Sequence, residues 1–275
     1  MSSKDKEAVI KNTEGVKLGT STTDRGSILE MIKLMFGRIV TDRGLLDIPV
    51  AVVAKTLTPE EAIGNPGRRD FPIVVGKERV VEAEVAGVKA HAYTDSPGEF
   101  VGSLKEILAL PLTSNRERAI FIATVNGVLK SLDIVKDTLH CRDEEPEKCA
   151  KEIASTLLEQ YGRIKVGLVG MNPAIAEAVV ETFGSENVRI TDINFDTIDT
   201  VKFGVMVWNG RSQTEKLVVS SDVILITGTT LVNGTFDTIW RALQDPEKQY
   251  FIYGITGSGI CELMGFNRLC PYGRS

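Results

Sequence analysis

Histidine and cysteine are scarce in this chain: two of the first and four of the second among 275 residues. No C-x-x-C pair is present, and four cysteines in a chain this long do not make a disulfide framework. Free thiols in a reducing compartment are expected, a hyperthermophilic source being the exception. Long apolar runs are also lacking; PVAVVA (49–54) and VILI (223–226) are far too short to span a bilayer. The amino-terminal MSSKDKEAVIKN is polar and has no apolar h-region, so we expect no leader, no membrane partner and a cytoplasmic protein. Positive charge is not in excess. A net charge of −5, a pI near 5.3 and isolated basic pairs such as Arg68-Arg69 give no footprint for nucleic acid. Walker A spacing is missing, and neither histidine lies in a nucleophile motif.

What is present is ordinary globular composition, 43% hydrophobic and 25% charged, in a length that suggests about two domains. Two grammars follow each other. After a polar segment (1–25), SILEMIKLMFGRIV places Ile28, Met31, Ile32, Met35, Phe36 and Ile39 at helical spacing, and IPVAVVAK reads as a strand. FPIVV, ERVVEAEV and VKAHAYTD read as antiparallel strands joined by the short links GK and AG, with His91 a structural or surface residue of the last. Helical patterns cover GEFVGSLKEILAL (98–110) and NRERAIFIATVNGVLKSL (115–132), so residues 26–137 form an α+β unit. From 138 to 275, strands RIKVGLVG, NVRITDIN, FGVMVW, DVILITG and QYFIYGITG alternate with helices. That order predicts a Rossmann-like, doubly wound parallel sheet.

The stretch HCRDEEPEKC (140–149) puts a histidine, two cysteines and four acids into ten residues. Imidazole and thiolate suit soft or borderline divalent metals, which makes His140 and Cys141 candidate ligands. Neighbours on an extended chain point opposite ways, so both reach one ion only at a kink. Cys149 shares a helical stripe with Ile153, Leu157 and Tyr161, which favours a core position, and the acids complement a helix N-terminus at Pro146.

The other candidates lie at strand-to-helix junctions. Gly170 ends a strand, Asn172 is a candidate N-cap before Pro173, and a helix N-terminus there offers N–H groups to an anion. The fingerprint G-x-G-x-x-G is nevertheless missing, with Met171 and Asn172 standing where small residues would admit a pyrophosphate. Asp192 ends the following strand near the spacing of a ribose-binding acid. The densest stretch is ILITGTTLVNGTFD (224–237), where Thr227, Gly228, Thr229, Thr230 and Asn233 gather hydroxyls and an amide at a strand's carboxyl end. YGITGSGICELMG repeats the device, and Cys261 there is either a dipole-activated thiol or core.

TGTTLVNGT, HCRDEEPEKC and the closing RLCPYG together resemble the heavy-metal chelation domain family, a family of unknown function, from about residue 30 onward. The resemblance implies an enolase-N-terminal-like α+β domain packed on a Rossmann-like domain, with a site in the cleft between them. It also implies that Asn126, in IATVNGVL, faces that cleft. The expectation is a protein that binds a small anionic ligand or a metal chelate there, in the context of heavy-metal chelation. The alternative is a Rossmann-type enzyme using a nucleotide cofactor such as S-adenosylmethionine or NAD. Catalysis and homo-oligomeric assembly stay open, because no residue has the constellation of a general base.

Overall fold

The structure, a computed structural model, describes residues 27–53, 57–243 and 248–275; the polar segment 1–25 lies outside them. Helix α1 (Ile28–Asp42) starts at a reciprocal capping box between Ser27 and Glu30 and buries Ile28, Ile32, Phe36 and Ile39. Strands β1 (Pro49–Val53), β2 (Arg79–Val85), β3 (Val88–Thr94) and β4 (Phe100–Ser103) form one antiparallel sheet in the order β3-β2-β1-β4. The β2–β3 link is Ala86-Gly87, both at positive φ, as a two-residue hairpin turn requires.

Two expectations fail in this region. FPIVV is not a strand: the N–H groups of Val74 and Val75 both return to the Phe71 carbonyl, and the segment turns on itself with Phe71 and Ile73 buried. GEFVGSLKEILAL is not one helix. Its Phe100–Ser103 part pairs with β1, and only α3 (Leu104–Ala109) is helical, entered through a capping box of Ser103 and Glu106. The short helix α2 (Pro59–Ile63) lies between β1 and β2.

Helix α4 (Asn115–Ser131) is buried on every side from Ala119 to Leu129. One face lies on β2 and β3, the other against α8 (Thr229–Asn233) and α10 (Ser258–Met264) from the far end of the chain. A helix apolar all round belongs between layers, not on a surface.

The second sheet has the order β10-β9-β5-β6-β8-β7. Strands β5 (Val166–Val169), β6 (Val188–Asp192), β8 (Val205–Asn209), β9 (Val223–Thr227) and β10 (Gln249–Tyr253) are parallel, and β7 (Val201–Lys202) adds an antiparallel edge. Helices α5 (Glu145–Tyr161), α6 (Pro173–Phe183), α7 (Gly210–Val219) and α9 (Phe236–Ala242) complete it. The chain steps from β5 outward to β6 and β8, then crosses back to β9 and β10. That reversal opens a crevice at the carboxyl ends of β5 and β9. The result is a mixed α/β molecule of two sheets. Among the described residues no helix is long and apolar enough to cross a membrane.

Candidate functional site

The crevice is a cleft of about 630 Å³. Gly170, Asn172, Asp192, Thr227, Thr229, Thr230 and Asn233 all line it, brought together from the carboxyl ends of β5, β6 and β9. The facing wall comes from the first sheet and its turns: Pro72, Lys77, Glu78, Tyr93, Thr94 and Asp95.

Several of these residues serve each other first. The Asn172 side chain accepts from the N–H groups of Ala174 (3.1 Å) and Ile175 (3.2 Å), and Pro173 has none to give. The first turn of α6 therefore offers an anion little, contrary to the expectation of free amides there. Gly170 has φ +87°, and a Cβ on it would stand 2.5 Å from Thr227 Cγ2. Its glycine is explained by the neighbouring strand end and not by approach of a pyrophosphate. Asp192 is held with one oxygen on the Met171 N–H (3.2 Å) and the other on the Asn194 N–H (2.9 Å). A carboxylate has about four acceptor positions, so it keeps capacity for a ligand hydroxyl. The Thr227 and Thr229 hydroxyls are 3.1 Å apart, Thr230 donates to the Thr227 carbonyl (2.7 Å), and Asn233 Oδ1 accepts from Thr235.

Two other expected residues lie elsewhere. Gly228 is not in the cleft: a Cβ there would meet the Gly257 N at 2.9 Å, because two strand-to-helix junctions cross closely at this point. Asn126 does not face the cleft either. Its amide donates to the carbonyls of His91 (3.0 Å), Ile255 (3.2 Å) and Thr256 (3.2 Å) and accepts from the Gly259 N–H (2.7 Å), wholly buried. It is a bolt between α4, β3 and α10.

Sequence reasoning missed lining residues on both walls. Tyr93 and Thr191 are buried, line the cleft, and their hydroxyls have no partner among the described residues. Burial pushes the Tyr93 phenol well above its ordinary range, so it stays a neutral donor. Glu78 has no side-chain hydrogen bond among the described residues; burial, then the charges of Asp192 and Asp95, push its carboxyl up to about 7, against the pull of His140. Arg211, an exposed residue that also lines the cleft, has no side-chain partner among the described residues. None of these belongs to a motif; a tyrosine inside an alternating strand and a glutamate after Gly-Lys carry no signal.

Behind the cleft, sharing Glu78, Tyr93, Asn172, Thr227 and Thr229 with it, is a chamber of about 100 Å³. His140, Cys141, Cys149 and Cys270 line it, with Gly228. His140 and Cys141 thus reach this chamber and not the cleft. The chain does kink between them: Cys141 Sγ is 3.6 Å from His140 Nδ1, which donates to the Cys141 carbonyl at 2.6 Å. The His140 ring stands edge-on to Tyr93, with centroids 5.2 Å apart, and its burial favours the neutral imidazole. Cys149 shares the chamber wall with Cys141 and Cys270, and the neighbouring Cys141 thiol, with burial, pushes its thiol up to about 12. All four cysteines are free. Cys261 is not activated by a dipole: burial pushes its thiol up to about 12.

These donors do not make a site for a resident metal. Among the described residues no three His, Cys, Asp or Glu side chains are arranged to hold an ion. A four-coordinate ion therefore finds no ready-made centre here.

Residues 153–265 match the family model DUF364, described as "Putative heavy-metal chelation". The match spans the parallel sheet from within α5 to the end of α10, and it includes neither histidine and only Cys261 of the four cysteines. Two crystal structures of DUF364-family proteins of unknown function are similar. One, from Pyrococcus horikoshii, is 18% identical over 84% of this chain and 80% of its own, with a TM-score of 0.49. The other, from Desulfitobacterium hafniense DCB-2, is 12% identical over 69% of this chain and 73% of its own, with a TM-score of 0.47. No curated protein matches.

Proposed function

We propose that this protein binds a small, hydroxyl-bearing anionic ligand in the cleft at the carboxyl edge of its parallel sheet. The observation that carries this reading is a pair of buried hydroxyls without a partner among the described residues, Tyr93 Oη and Thr191 Oγ1, on two sides of one cavity. Leaving a buried hydroxyl without a hydrogen bond costs about 1–3 kcal/mol, and a ligand that accepts from both recovers that. Asp192 and the Thr227–Thr229 pair supply complementary groups for ligand hydroxyls, and Arg211 supplies a cation with no side-chain partner among the described residues. A metal enters this picture as part of a chelate carried by the ligand.

The second reading, a nucleotide cofactor, draws on Asp192 at the end of β6, where an acid meets ribose hydroxyls in doubly wound folds. A nucleoside cofactor such as S-adenosylmethionine suits the cleft better than NAD, because the α6 amides that would take a pyrophosphate are already capped by Asn172.

A thermal-shift screen of nucleotides, sugar phosphates, small carboxylates and S-adenosylmethionine tests both. A ligand that fills its site raises the melting temperature by mass action. The hit should weaken about 10-fold or more in Thr229→Val and in Asp192→Asn, each of which removes one polar partner. A screen without a hit, or a hit indifferent to both substitutions, overturns the reading.

A further inference from the structure

The chamber behind the cleft differs from it in chemistry. The cleft wall carries hydroxyls, amides and carboxylates, whereas Ile63, Phe71, Ile73, Pro146, Ile153 and Ile175 close in the chamber from α2, the turn at 71–75, α5 and α6. Its cysteines add little polarity, because a thiol is a weak donor and a weak acceptor. His140 turns its Nδ1 to the Cys141 carbonyl. Of the described residues that line the chamber, Tyr93 alone has a buried side-chain oxygen or nitrogen without a partner, and Tyr93 also lines the cleft. A water held in a cavity needs two to four polar partners, and the side chains inside the chamber do not supply them. The two spaces meet at a polar collar of Glu78, Tyr93, Asn172, Thr227 and Thr229, which line both. Tyr93 is fixed in that collar, its N–H donating to Thr256 Oγ1 (3.0 Å) and its ring edge-on to His140.

We propose that the chamber is an apolar subsite, and that it receives a short alkyl arm of about four carbons from the ligand whose polar head lies in the cleft. The head rests on the reading under Proposed function; the arm rests on the chamber's own lining and volume. A dry cavity of about 150 Å³ lined by Leu, Ile and Phe takes up benzene, with its six carbons. In proportion, a chamber of about 100 Å³ takes about four. Burial of apolar surface draws the arm inward. The collar keeps the charged head outside, since an anion among isoleucines loses its water and gains no partner. The ligand class is therefore a hydroxylated anion with one short apolar branch. Longer chains meet Ile63, Phe71, Cys149 and Ile153, all buried, and a close-packed interior does not yield extra methylenes without cost.

Isothermal titration of the full chain with 2-hydroxycarboxylates tests this, with side chains running from one carbon to eight. Each buried methylene should tighten binding about fourfold up to about four carbons, and the gain should then stop. Cys149→Leu extends a side chain into the chamber and should abolish the rise, so that one-carbon and four-carbon acids bind alike. Asp192→Asn acts on the head, and should weaken every acid by one common factor while the gain per carbon persists. Should Cys149→Leu fail to fold, the wild-type series decides: affinity flat with chain length, or still rising at eight carbons, overturns the proposal. Crystals under xenon pressure separate the subsite from the cleft reading, because xenon enters dry apolar cavities. Xenon in the chamber with no acid bound sinks the cleft reading and upholds the subsite. Ordered water there in place of xenon overturns the subsite, whatever the cleft binds.

Discussion

Glu78 is a carboxyl set among like charges, and that makes it the residue whose protonation the fold feels most directly. Its pKa rises from an ordinary 4.5 to about 7 on folding, through burial first and the Asp192 charge second. The native chain then holds the proton more tightly than the unfolded one. Stability from this group is complete below about pH 4.5 and declines as the pH rises through 7. His91 and His140, both lowered by burial, act in the opposite direction on the acid side, so the comparison must be with a variant. Glu78→Gln does not titrate. Urea unfolding at pH 5 and pH 8 should show the variant gaining up to about 3 kcal/mol on the wild type between the two. An equal pH response in both proteins would refute the assignment. Glu78 was illegible in the sequence, because its acidity is set by residues 17 and 114 positions away that only the fold brings near. Asp192, Thr227 and Thr229 were legible as a group for the opposite reason. Parallel strands end on one edge, so polar residues at strand ends are neighbours before any side chain is placed. Asn126 was expected in the cleft from the family resemblance, and a match of short motifs does not show what covers a residue.

At the scale of elements, α4 and α10 meet through glycine. An added Cβ at Gly259 would stand 2.9 Å from Asn126 Oδ1 and from Leu129 Cδ1, and 3.2 Å from Val125 Cγ1. The Gly259 N–H is also the donor to Asn126, so the helices cannot part without breaking that bond. Gly127, on the same helix α4, faces β2 with Val85 Cγ2 at 3.4 Å, an ordinary contact. We therefore expect Gly259→Ala to cost about 1–3 kcal/mol by overpacking. Gly127→Ala should change stability by less than about 1 kcal/mol, since alanine's better helix propensity offsets a tight fit. Denaturant midpoints distinguish them; equal effects would mean that the α4–α10 seam is not rigid. The helices themselves were legible where apolar spacing and caps agreed, as in α4 and α6. The pattern misled where short apolar runs carry no period. FPIVV became a turn because its backbone bonds close locally, and Phe100–Ser103 became a strand because β1 had a free edge to fill.

For the molecule as a whole, the division read from the sequence, 26–137 and 138–275, describes the order of elements better than it describes the cores. One apolar cluster joins Phe36, Leu104 and Phe121 to Leu217, Ile224 and Ile260. The other joins Ile63, Phe71 and Tyr93 to Leu157, Leu168 and Leu225. Each therefore contains residues from both sides of position 137. Hydrophobic periodicity marks which face of an element is buried and is silent on whether the covering layer lies near or far along the chain, so this merging could not be read in advance. Its thermodynamic consequence is definite. If each half supplies part of both cores, neither can unfold while the other keeps its apolar surface from water, and the loss must be shared. Differential scanning calorimetry of the full chain should then give one endotherm, with calorimetric and van't Hoff enthalpies in agreement. A ligand in the cleft, contacting both walls, should move that single transition without splitting it. Two resolved endotherms, or a calorimetric enthalpy well above the van't Hoff value, would instead establish the halves as independent domains with the cleft as a mere seam between them.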